Sequence, residues 1–100
     1  MTTIEQIAWL RERCVAFGVE FNEHRNYYQS LESFLDERPG RCNGVDAELR
    51  AEILAAGQLV LVQCYPNTPI SFLCIVHHDF EKAIAAAYER LSVPQSSENT

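Results

Sequence analysis

The chain has 100 residues, 47% of them apolar and 22% charged, enough for one domain with a real core and no disulfide staples. Fourteen acidic against eight basic residues leave a net charge of −6, which repels phosphate backbones and argues against direct nucleic-acid binding. No apolar run approaches the ~18 residues of a membrane helix, and MTTIEQIAWLRERC lacks the basic and apolar regions of a signal peptide, so a cytoplasmic protein is expected.

Thr3 followed by Gln6 offers a capping box for a first helix. Ile7, Leu10, Cys14 and Phe17 recur at helical spacing, with Ile4 near the same stripe, and Gly18 suits a left-handed helix end. The pattern predicts a helix over about 4–17. Trp9 falls nearly opposite that stripe, among Glu5, Glu12 and Arg13. A Trp rimmed by charges fits a partner-binding anchor, and Trp9, Glu5, Glu12 and Arg13 are the predicted partner contacts. The alternative is that Trp9 packs on its own chain.

The next stretch, GVEFNEHR, reads as short and extended at Val19 and Phe21. Asn26 then caps a second predicted helix, with Gln29 reciprocating and Tyr27, Tyr28, Leu31, Phe34 and Leu35 as its stripe. Pro39-Gly40 and Asn43-Gly44 mark turns. Asp46 caps a third helix through about Ala56, carried by Leu49, Ile53 and Leu54 and stopped by Gly57.

Two strands come next, QLVLVQCY and ISFLCIVH, joined by PNTP into an antiparallel hairpin. With Tyr65 set against Ile70, one face carries Leu59, Leu61, Tyr65, Ile70, Phe72, Cys74 and Val76, and the other Val60, Val62, Cys64, Leu73 and Ile75. A strand with one wet face alternates apolar and polar, and this hairpin does not. Either helices cover it on two sides or a second chain does. The expectation is a homodimer, with Leu61, Phe72, Cys74 and Val76 as self-association residues. Asp79 opens a last helix with the stripe Phe80, Ala83, Ile84, Ala87, Tyr88 and Leu91, and residues 93–100 have the composition of a disordered tail. The predicted fold is α+β and helix-dominated, in the order α-α-α-β-β-α, as one compact domain over 1–92.

Chemistry is thinly represented. Cys14, Cys42, Cys64 and Cys74 form no C-x-x-C pair, and packed, reduced thiols are expected. Cys64 and Cys74 fall on opposite hairpin faces, and the adjacent His77 and His78 should point apart, so no metal site is predicted. Cys42 beside Arg41 is the best thiol candidate but lacks a base fixed by sequence, and Asp36-Glu37 beside Arg38 reads as solvated surface. The four glycines read as stops or turns, not as a phosphate loop. No catalytic residue and no cofactor are predicted.

The order of elements resembles that of a winged helix-turn-helix domain, which would make 46–56 the recognition helix and PNTP the wing tip. That helix offers Asp46, Glu48 and Glu52 against a single Arg50, which does not suit a DNA reader. The composition and pattern favour a small acidic bacterial regulator, of the inhibitor or antiactivator type. It would bind and mask one partner protein with a basic surface, such as a transcription or nucleic-acid-handling protein. A degenerate winged-helix transcription regulator is the alternative, and a thiol- or metal-dependent protein the third reading.

Overall fold

The computed structural model describes residues 1–22, 24–37, 45–66 and 72–92. Along them run α1 (Thr3–Arg13), β1 (Cys14–Phe21), α2 (His24–Tyr27), α3 (Leu31–Glu37), α4 (Ala47–Ala56), β2 (Val60–Pro66), β3 (Leu73–His77) and α5 (Phe80–Ser92). The fold is α+β as predicted, with one strand more than the sequence pattern suggests.

The extra strand comes out of the predicted first helix. That helix ends at Arg13, and Cys14 already has extended backbone angles. Cys14 and Phe17 belong to β1, which pairs antiparallel with β2 from Cys14 to Phe21 with a bulge at Val15. The segment CVAFGVEF satisfies two periods at once, because its Val and Phe residues also alternate by two, and β-branched and aromatic residues favour a strand once a partner exists. Gly18 is therefore a mid-strand residue with no left-handed backbone. The capping box of α1 is Thr2 with Glu5, one residue earlier than expected. The Thr2 N–H donates to the Glu5 carboxylate at 2.8 Å and the Glu5 N–H to the Thr2 hydroxyl at 3.1 Å. A carboxylate suits the helix N-terminus better than the Gln6 amide does.

The predicted second helix is broken into α2 and α3. Ser30, not Asn26, caps the second piece, its hydroxyl accepting from the Ser33 N–H at 3.0 Å. The three later caps are as expected. Asp46 accepts from the Leu49 N–H, Gly57 ends α4 at φ 72°, and Asp79 accepts from the Lys82 N–H. Asn22 adopts the left-handed region (φ 54°) that Asn tolerates better than most residues. It exchanges hydrogen bonds with Leu59 at 2.7 and 3.1 Å, tying the end of β1 to the start of β2.

The sheet has the order β1-β2-β3, all antiparallel. Cys64 pairs with Leu73, and the Tyr65 ring lies 5.0 Å from that of Phe72, so Tyr65 does not face Ile70, which lies outside the described residues. The shift is by two, which preserves face parity, and the face assignment survives it. Val60, Val62, Cys64, Leu73 and Ile75 pack with Leu10 of α1 and with Ala83, Ile84 and Ala87 of α5. On the other side Leu59, Leu61, Cys74 and Val76 pack with Phe34 and Leu35 of α3 and Ile53 of α4. The hairpin is thus covered on two sides by its own chain. Leu61, Cys74 and Val76 are each 1% exposed, so those three predicted self-association residues are core; Phe72 is half-buried. The predicted tail and the turns at 39–40 and 43–44 lie outside the described residues, as does Cys42. Among the described residues no helix is long and apolar enough to cross a membrane.

Candidate functional site

The helical layers do not cover β1 evenly. Phe17, Val19 and Phe21 stand opposite Cys64, Val62 and Val60, on the side of α1 and α5, and Phe17 and Val19 pack into that core. Ala16, Gly18 and Glu20 stand opposite Tyr65, Gln63 and Leu61, on the side of α3 and α4. These three are exposed, because the second helical layer covers Leu61 and stops short of β1. The result is a shelf with small residues at Ala16 and Gly18 and a carboxylate at Glu20, bounded by Tyr65, itself 51% exposed. A Cβ placed on Gly18 would meet nothing within 4 Å.

Among the described residues the outer edge of β1 is also open, and no strand pairs with it. Natural edge strands are usually kept short or guarded by Lys, Pro or bulges. This one is eight residues long, without Lys or Pro, and its one irregularity is a bulge between Cys14 and Ala16. Val15 at that bulge is 76% exposed and Phe21 at the far end 61%. β3, the opposite edge, is shorter, and Leu73 to Val76 are all buried. An open ladder flanked by two exposed apolar side chains can receive an extended segment of another chain.

The predicted partner contacts cluster on α1, but Trp9 is not free. Its ring is half-buried against the first core and meets Tyr88 of α5 edge-on, 4.8 Å between centroids. The Arg13 guanidinium lies 4.1 Å over the same ring and donates to the Trp9 carbonyl at 3.3 Å. Glu12 is 3.5 Å from Arg13, and Glu5 is engaged in the cap of α1. The internal-packing alternative describes the Trp9 ring best.

His77 and His78 do not point apart. β3 ends at His77, so His78 leaves the pleat and the alternation that would separate the two rings no longer applies. Their centroids are 4.7 Å apart. The His78 N–H donates to His77 Nδ1 at 2.9 Å, and Gln58 donates to the His78 carbonyl at 2.7 Å. His78 Nε2 lies 3.4 Å from a carboxylate oxygen of Glu52 on α4. Glu52, His77 and His78 each offer one ligand atom within 4.8 Å of the others. Burial, with smaller contributions from His78 and Lys82, holds His77 below the usual histidine range. One flank of His77 opens on a groove of about 580 Å³ between α1 and α5, lined also by Gln6, Lys82, Tyr88 and Glu89. A His-His pair at a strand end is visible in the sequence; Glu52, far away in the chain, is not.

The thiols among the described residues are ill suited to chemistry. Cys14, Cys64 and Cys74 are buried and outside any disulfide. Cys14 and Cys64 share a hydrogen bond, and burial raises both, Cys64 to about 12, so neither is a thiolate at neutral pH. On α4 the helix's one cation, Arg50, is held by Asp36 at 2.9 Å and Glu32 at 3.7 Å. No protein-family model matches this chain, and no curated protein or solved structure matches it significantly.

Proposed function

We propose that this chain is a small acidic regulatory protein of the inhibitor or antiactivator type. It binds a partner by taking an extended segment of it onto β1 and masks that partner's active or assembly surface. The observation that carries this reading is the open eight-residue edge with exposed Val15 and Phe21 at its ends. Main-chain pairing along β1 supplies affinity, and the two apolar side chains with the Gly18 shelf select what docks. A net charge of −6 favours a basic segment and speeds encounter. Buried thiols outside any disulfide suit a reducing compartment, consistent with a cytoplasmic setting. A winged-helix DNA reader has less support, because the outer side of α4 carries Glu48 and Glu52 while Arg50 is engaged.

Gly18→Arg tests the reading. The new side chain enters open space, so circular dichroism and melting should stay near wild type. A partner recovered from the native host with wild-type protein and identified by mass spectrometry should be lost with Gly18→Arg and with Val15→Lys. Retention by these two variants, still folded, would remove β1 as the site. Light scattering on the same proteins separates the homodimer, since a dimer that Gly18→Arg disperses would mean that a second copy fills the edge.

A further inference from the structure

We propose that Glu52, His77 and His78 form a binding site for a divalent transition-metal ion of the zinc type, distinct from the β1 edge. The three residues come from the middle of α4, the last position of β3 and the bend before α5. Two imidazoles and one carboxylate are a donor set that suits zinc, with further positions left for water or for a donor from a bound partner. Ligand atoms about 2.1 Å from a tetrahedral ion stand about 3.4 Å from one another. His78 Nε2 and the Glu52 carboxylate are already 3.4 Å apart. The third donor atom lies within 4.8 Å of the other two, so closure asks for a ring shift of little more than an ångström. The Gln58 bond to the His78 carbonyl ties the bend to the start of β2.

His77 must exchange one hydrogen interaction to join. With the His78 N–H donating to Nδ1, the metal-free ring carries its proton on Nε2. An ion on Nδ1 displaces the amide N–H, and an ion on Nε2 shifts the ring proton to Nδ1, which can then no longer accept from that N–H. In either case the His78 N–H loses this acceptor, the ring ends neutral and no net proton is released from it. The neighbouring charges are Lys82, which opposes a cation, and Asp79, which favours one. Bound metal would clamp α4 to the end of the sheet.

The test uses zinc ion alone, added to metal-free full-length protein and followed by calorimetry and by histidine ring NMR signals. The chain has three histidines, so His24 is an internal control. One zinc per chain is expected, with the His77 and His78 signals moving together, the His24 signal unchanged, and a melting-temperature rise of at least about 4 °C at saturation. His78→Ala and Glu52→Gln should each weaken binding at least about tenfold. Glu52 is exposed, so Glu52→Gln should leave the metal-free fold and melting intact. Magnesium should not substitute, because it prefers oxygen ligands. No binding at ~1 mM zinc would overturn the proposal. So would zinc that leaves the His77 and His78 signals unmoved, or undiminished affinity in folded Glu52→Gln and His78→Ala.

Discussion

His24 shows how much one side chain can carry unannounced. It is 6% exposed, and its Nδ1 has no hydrogen-bond partner among the described residues. Burial, followed by the nearby Arg25 charge, holds its pKa below the ordinary 6.5. The unfolded chain therefore takes up a proton as the pH falls through about 6.5, while the folded chain resists until lower pH. Stability tied to His24 is full above that value and lost progressively below it. Urea midpoints measured at pH 7.5 and 5.5 should fall further for wild type than for His24→Leu. His77 is shifted in the same direction and remains in the variant, so the difference isolates His24. Equal falls would show that His24 titrates normally. Cap chemistry was readable at Asp46, Gly57 and Asp79, which stand where their types predict, but not at Asn26 or Gly18, where the predicted helix boundaries do not form. Two neighbouring Thr-x-x-acceptor frames at the N-terminus were not separable by spacing, and the carboxylate of Glu5 decided between them.

Between elements, the seam of α1 and α5 is where Trp9 acts. Its edge-on contact with Tyr88 joins the two helices over the first core, while the Arg13 guanidinium from its own helix covers the ring's face. Such an aromatic pair contributes about 0.5–1.5 kcal/mol beyond its buried area, and a cation over a half-exposed ring about 0.5–1. Trp9→Ala should lower unfolding stability by ~2–3 kcal/mol, read by chemical denaturation, while pairing at β1 persists. An unchanged denaturation midpoint together with weakened partner binding would instead restore Trp9 as a contact residue. The break between α1 and β1 is the element that local pattern could not place. Ile7, Leu10, Cys14 and Phe17 fit a helix, and Phe17, Val19 and Phe21 fit a strand, so the same Phe17 serves two templates. Only the unpaired edge of β2 chooses between them, by offering a ladder that an isolated helix end cannot match.

At the scale of the whole molecule, one hairpin serves two cores. Ile84 closes the side of α1 and α5 and Ile53 the side of α3 and α4, each fully buried. Ile84→Ala and Ile53→Ala should each cost ~3 kcal/mol, because either leaves a cavity against strands that cannot collapse onto it. The shared sheet makes unfolding a single transition, so tryptophan fluorescence, which reports the first core, and circular dichroism should give one midpoint in these variants. Separate midpoints would mean that the two layers melt independently.

The sequence by itself determined the features that local chemistry and the periods of two and 3.6 dictate. These include the caps of α4 and α5, the stripe of α5, and a hairpin whose two faces are each apolar, correct in parity even with its register off by two. Tertiary structure alone decided what covers those faces, because burial depends on which helices reach them and not on the strands' own pattern. It turned Leu61, Cys74 and Val76 from predicted contacts into core and left β1 as the open edge. It also brought Glu52 to His77 and His78. Strand alternation governs side-chain direction only while the strand lasts, and at His78 the strand had ended.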